Sequence, residues 1–293
     1  MYNFTMQPMR IIGILDQTFK LYRDNFKAII SFSLLIGGTV QLVVSLLQLG
    51  AGAASTGTLF GELMSGRSFL EGLENYSDAV QSSSLSSIVS LITQVFIVYP
   101  IVYGGITLTV LLLTHGSTDH RFLAQTMSRY GKLLGTFFAA LIICVLLALV
   151  YTVSLSLFVL SSGLFALAVF MVILAVAVLL ILAICFFAYP VAIRESRYGF
   201  SWIGRALKLF GRRKAKTIGL LLLVGLLVTV LNFIFGVVFA LFLPPVASII
   251  GIVLVSALLT PIPIIAMTLL YLDIRITTEG YDLEIRAASL KNE

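Results

Sequence analysis

Residues 194–217 read RESRYGFSWIGRALKLFGRRKAKT and hold eight of the nineteen Lys and Arg residues but a single acid, Glu195. On either side lie the longest uncharged runs of the chain, 61 positions at 133–193 and 55 at 218–272. As one helix the first run would reach ~92 Å, about three times the ~30 Å hydrocarbon core of a bilayer. It must fold back, and Ser161-Ser162-Gly163 supplies the turn, which predicts spans at about 133–160 and 164–193. Pro244-Pro245 divides the second run into spans at about 218–243 and 246–272.

Within the basic stretch, apolar residues recur at Trp202, Ile203, Ala206, Leu207 and Phe210, a three-and-four spacing that predicts one stripe of a helix. Arg205, Lys208 and Arg212 follow the same spacing on another face. A basic amphipathic helix between two spans is expected to lie in the interface plane, apolar face down and cations among anionic headgroups. Two readings stay open. The cations either only fix which side faces the cytoplasm, or Arg205, Lys208, Arg212 and Arg213 form a lipid or anion site.

Composition gives the class. The chain has 293 residues, 59% of them hydrophobic and only 11% charged, with a mean hydropathy of +1.09. A soluble domain carries about 25% charged residues, so an integral membrane protein is expected. The net charge of +6 sits beside spans, not in a soluble module, so no nucleic-acid partner is expected. Cys144 and Cys185 stand in mid-run and read as packing residues, not as a disulfide or metal pair.

Before the first span, RIIGILDQTFKLYRDNFK at 10–27 carries an apolar stripe at Ile11, Leu15, Phe19, Tyr22 and Phe26. It predicts another interfacial helix. The first uncharged run, 28–49, then spans once, with Gln41 and Gln48 as polar points bonding to a neighbouring helix. No signal peptide is expected. Residues 50–84 are rich in Gly, Ser and Thr and carry a net charge of −3, which reads as an extracytoplasmic loop. The span at 85–113 contains Pro100, a predicted kink. The polar segment 114–132 holds both histidines, His115 and His120, without a partner cluster, so no metal is expected. Asn232 is expected to hydrogen-bond across helices.

With the termini and the segments 114–132 and 194–217 on one side, eighteen of the nineteen Lys and Arg residues are cytoplasmic, and Arg67 alone lies outside. The expectation is an all-α polytopic protein of six transmembrane helices with both termini cytoplasmic. Three segments align without gaps: Thr18-Phe19-Lys20-Leu21-Tyr22, Thr126-Met127-Ser128-Arg129-Tyr130 and Ala206-Leu207-Lys208-Leu209-Phe210. Each precedes a pair of spans, and the second span of each pair carries a proline, Pro100, Pro190 or Pro261. This predicts three parallel two-helix repeats, each preceded by an amphipathic interfacial helix.

No Asp, Glu, Lys, Arg or His lies inside any proposed span, and no nucleotide-binding, metalloprotease or hydrolase motif occurs. No catalytic residue, metal or cofactor is expected, and the chain reads as a non-enzyme. The tail, YLDIRITTEGYDLEIRAASL at 271–290, is more distinctive. Asp273 and Arg275 are expected just beneath the membrane, and Gly280 at a turn no β-carbon would allow. Glu279 and Asp282 lie either side of it, and the helix beyond is expected to pair its acids with 194–217.

YLDIR followed by EGYDLE resembles the closing motif of the glycerophosphoryl diester phosphodiesterase membrane-domain family. RIIGILDQTFKLYRDNF is similar to that family's opening, and PVAIRES followed by ALKLFGRR to its central loop. The family's Arg-Ser-Trp is replaced here by Arg205-Ala206-Leu207, with Trp202 earlier. The resemblance implies a six-helix protein of the bacterial cytoplasmic membrane. It implies no phosphodiesterase activity, because the soluble domain that hydrolyses is missing from these residues. Three readings follow. One is a non-catalytic protein that binds membrane lipids, anionic ones included, or a partner membrane protein such as an ABC exporter, acting in envelope homeostasis or in export and immunity. The second is a transporter or channel for a lipid, peptide or small solute. The third, a membrane enzyme, is the weakest.

Overall fold

The computed structural model describes residues 9–50, 92–114, 122–161, 176–181 and 183–280. The expected loop at 50–84 beyond Gly50, the turn at 162–163, both histidines, Asp282 and the final helix lie outside them. Among the described residues the protein is all helical, with no strand. The helices are α1 (Ile11–Asp24), α2 (Phe26–Ile30), the π-helix π1 (Ser31–Gly38), α3 (Thr39–Gly50), the π-helix π2 (Gln94–Tyr103), α4 (Gly104–Thr114), α5 (Phe122–Ser128), α6 (Tyr130–Ser161), α7 (Ala188–Glu195), α8 (Trp202–Arg212), α9 (Lys214–Phe242), α10 (Pro245–Leu259) and α11 (Pro261–Glu279).

Four stretches are long and apolar enough to cross a membrane: Phe26–Leu46, Val176–Glu195, Lys214–Phe242 and Val246–Glu279. Val98–Thr114 and Tyr130–Leu146 are apolar but shorter. The chain divides into two compact units. The first comprises Met1–Thr18, Thr107–Leu223 and Ile264–Glu293, the second Phe19–Ile106 and Val224–Pro263.

Prolines explain the breaks. Pro244 and Pro245 separate α9 from α10, as the sequence predicts, with Pro245 in the first turn of α10, where its missing N–H has no acceptor to leave empty. Pro190 does not end its helix. Its ring crowds the carbonyl four residues back, the chain turns at 186–187, and α7 then runs on to Glu195. Pro100 is absorbed within π2, whose wider turn accommodates the lost hydrogen bond.

In the second unit, the polar groups within the helices are matched to one another. Pro261 cannot donate to the carbonyl of Ala257, and Ser33 Oγ of π1 donates to it instead. Tyr22 Oη donates to the next carbonyl, Leu258, at 3.0 Å. Neighbouring side chains thus satisfy the backbone that a proline leaves open, as an apolar surrounding requires. Gln94 Nε2 donates to Gln41 Oε1 at 3.0 Å, joining π2 to α3, and Ser256 Oγ donates to Asn232 Oδ1 at 3.1 Å, joining α10 to α9. Both are the cross-helix roles expected of Gln41 and Asn232.

Glycines set the closest approaches. A β-carbon on Gly105 would stand 2.5 Å from Cε1 of the buried Phe32, and one on Gly251 would stand 2.8 Å from the Phe239 ring. Gly37 lies against Val102, so π1 and π2 pack across small residues.

The buried line of α1 differs from its apolar stripe, and that of α8 matches its stripe only in part. In α1 the buried line is Ile14, Thr18 and Leu21, while Phe19 and, at the start of α2, Phe26 are exposed. In α8 it is Trp202, Ala206, Leu209 and Phe210, while Leu207 is exposed. A helix at a membrane surface has two apolar environments available, so a single hydrophobic stripe does not decide which side faces protein. Cys144 and Cys185 are free thiols. Cys144 is exposed on α6, Cys185 is half-buried, and the two thiols lie in contact.

Replacing Gly105 by Ala forces Phe32 to move and is expected to destabilise the protein by about 1–3 kcal/mol. Phe32→Leu combined with Gly105→Ala should recover part of the loss, a non-additivity readable by thermal unfolding in detergent.

Candidate functional site

The first unit gathers its charges in two layers along α11. The inner layer centres on Asp273, whose side chain is only 1% exposed. It accepts from the Lys216 ammonium at the start of α9 and from the backbone N–H of Met9 at 2.7 Å. Lys216 also donates to the Met9 carbonyl. One carboxylate and one ammonium thus hold both polar groups of a single backbone residue. This removes unpaired polar atoms that the apolar surroundings would penalise.

The outer layer lies six residues, or ~9 Å, further along α11. Its centre is Arg205 in the second turn of α8. Nε donates to both oxygens of Glu195, at 2.9 and 2.8 Å. The two terminal nitrogens donate to the two oxygens of Glu279, at 2.8 and 2.6 Å. A planar guanidinium alone offers this fork to two carboxylates at once. Glu279 also receives Arg212 at 2.9 Å and, one helical turn back, Arg275 at 3.3 Å. Arg212 donates to Thr278 Oγ1 at 3.0 Å. Tyr271 Oη donates to Glu195 at 3.2 Å, and the Arg275 guanidinium lies over the Tyr271 ring. Arg197 stands 3.7 Å from Glu195 at the exposed edge.

The sequence places these groups for identifiable reasons. Glu195 ends α7, where Ser196 adopts φ +53° and turns the chain towards α8. Arg205 and Arg212 are seven residues apart, two turns of α8, so both reach the same carboxylate. Gly280 adopts φ +64°, the conformation expected of it, and ends α11 directly after Glu279.

Burial opposes ionisation of both partners, and the pairing overrides it. Desolvation pulls the Arg205 guanidinium down, but its hydrogen bonds and charge contacts with Glu279 and Glu195 push it above its ordinary value. Desolvation likewise raises the Glu279 carboxyl. The hydrogen bond and charge of Arg205, then those of Arg275, outweigh this and hold it below the usual glutamate range.

Of the four cations expected to bind lipid or anion, two are engaged. Arg205 and Arg212 pair with carboxylates, while Lys208 and Arg213 are exposed and take part in no ion pair among the described residues. Lys214 is exposed beside Arg213. Of the tail residues, Asp273, Arg275 and Glu279 all enter the two layers. Sequence reasoning missed Glu195, Tyr271, Lys216 and Met9 as members. The signals were present: Glu195 is the lone acid in a basic stretch, and Lys216 and Asp273 bound a 56-residue uncharged run at its two ends. A run that crosses and returns brings such ends together. Trp202, the only tryptophan, is wholly buried on α8, and its Nε1 has no hydrogen-bond partner among the described residues. Among the described residues no group of three or more His, Cys, Asp or Glu side chains is placed to hold a metal ion.

Asp273→Asn leaves the Lys216 ammonium without its counter-charge and is expected to cost about 3–5 kcal/mol. The pair Lys216→Met with Asp273→Leu should recover only part of it, because the Met9 N–H and carbonyl then lose their partners, measured by thermal unfolding in detergent. Glu279→Gln is expected to cost about 1.5–3 kcal/mol near neutral pH. Because the folded carboxyl titrates below its ordinary value of 4.5, the contribution is complete above that pH and is lost as pH falls through the lower folded value. The difference between wild type and Glu279→Gln, followed by Trp202 emission, should be constant above pH 4.5 and vanish in stronger acid.

Compared with models of known protein families, with curated proteins and with solved structures, the chain has no match.

Proposed function

We propose that this chain is a multi-pass protein of the bacterial cytoplasmic membrane. In this reading six spans form three parallel two-helix units, both termini are cytoplasmic, and the protein works without catalysis. It binds lipid or a partner through its basic cytoplasmic helix, as an accessory in envelope homeostasis or in an export or immunity system. The observation that carries the binding role is the division of charge on α8. Arg205 and Arg212 are locked onto Glu195 and Glu279, which holds the helix in place, while Lys208, Arg213 and the adjoining Lys214 stay exposed. A fixed helix with outward cations is suited to meet an anionic surface.

The six-span architecture is supported by the four long apolar stretches together with the two shorter ones, each of which overlaps one of the six expected ranges. The repeat is supported by burial register: Thr18, Thr126 and Ala206, the first residues of the three aligned segments, are all fully buried. The membrane-domain family reading rests on the resemblance of the opening and closing motifs alone; Asp273, Arg275 and Glu279 of the closing motif enter the two charge layers of the first unit.

The transport reading is weaker, because Gln41, Gln94, Asn232 and Ser256 direct their polar groups at one another. Proteoliposomes separate the two. Flux of a fluorescent lipid, a peptide or a small solute should equal that of protein-free vesicles, and flux above that level would overturn the binding role in favour of transport.

A further inference from the structure

The three aligned cytoplasmic segments share more than a buried first position. In each, the second residue is a large apolar side chain left open: Phe19 is 42% exposed, Met127 50% and Leu207 48%. In each, an exposed cation follows within two residues: Lys20, Arg129 and Lys208. None of these three cations takes part in an ion pair among the described residues, in contrast to Arg205 and Arg212 nearby in sequence.

Helical geometry explains the pairing. A residue next to a buried one is rotated ~100° about the helix axis, and the next by as much again. The buried position faces protein, its neighbour points sideways and the residue after that points outward, which is where Lys20 and Lys208 stand; Arg129, one residue later, stands at the turn between α5 and α6. An apolar group and a cation side by side on an otherwise free face match a membrane surface, where acyl chains begin just below the phosphates.

Chain continuity sets the depth. Phe19 is seven residues before the stretch Phe26–Leu46, Met127 three before Tyr130–Leu146, and Leu207 seven before Lys214–Phe242. The connections are mostly helical, and seven helical residues rise only ~10 Å, comparable with the depth occupied by an interfacial helix. Each apolar side chain is therefore tethered close to the place where its own chain enters the apolar layer.

We propose that Phe19, Met127 and Leu207 are three membrane wedges, one per repeat, each inserted at the acyl boundary with Lys20, Arg129 or Lys208 on the phosphate of an anionic phospholipid. The ligand is the cytoplasmic leaflet of the membrane this protein spans. The proposal rests on the membrane-protein reading above and names the chemistry its basic helices meet.

The single native tryptophan makes a direct test practical. In a Trp202→Phe background, Phe19→Trp, Met127→Trp and Leu207→Trp are made one at a time. Each is reconstituted in vesicles of mixed zwitterionic and anionic phospholipid brominated near the headgroup end of the acyl chains. Each new tryptophan should lose emission to the bromolipid and be shielded from aqueous acrylamide. Tryptophans quenched by acrylamide and not by bromolipid would overturn the proposal. If Trp202→Phe does not fold, the same substitutions are made with Trp202 retained and its emission subtracted. For the cations, the triple variant Lys20→Glu, Arg129→Glu, Lys208→Glu should retain less anionic relative to zwitterionic lipid through purification, and an unchanged ratio would overturn the headgroup assignment. Solute flux would overturn the binding role and leave the wedges standing. Water-exposed wedges would leave a null flux result intact.

Discussion

The Arg205 guanidinium, held between Glu195 and Glu279, is the constraint on which the first unit depends. In lipid, one apolar helix face is solvated about as well as another, so burial alone does not decide how a helix is rotated or how far it slides. A forked ion pair decides both. It fixes the end of α7, the second turn of α8 and the end of α11 with one planar group. A lysine would offer a point charge without the fork.

The second unit solves the same problem without charge. Its fixing points are hydrogen bonds at places where the helical ladder is incomplete or a polar side chain sits among apolar ones. Pro261 leaves the Ala257 carbonyl open and Ser33 answers it, Tyr22 takes the next carbonyl, and amides and hydroxyls pair at Gln41–Gln94 and Asn232–Ser256. Gly105 lets the Phe32 ring in where any larger residue would exclude it.

The amino-acid pattern foretells much of this, and the parts it leaves out share one cause. Pro244-Pro245, Gly280, Gln41 and Asn232 act locally or have few alternatives, so their roles could be read directly. The buried line of α1 could not, nor could all of that of α8, since Leu207 and Leu209 are equally apolar and only tertiary contacts choose which of them faces protein. The roles of Arg205 and Arg212 were visible as basic and amphipathic but not as engaged, because their partners lie ten and 67 residues away. Lys216 and Asp273, bounding one uncharged run, were the accessible clue to a long-range pair.

That pair has a consequence for how the protein is made. Under the proposed topology, the 56 uncharged residues between Lys216 and Asp273 leave the cytoplasm and come back to it. The ammonium emerges from the ribosome first and waits without its counter-charge while the hairpin is synthesised. Contact with Asp273 closes only when both helices are across, and Met9, made long before, is then captured by the same two groups. The inner layer thus joins the first residues of the chain to both ends of a hairpin that must be complete before it can close.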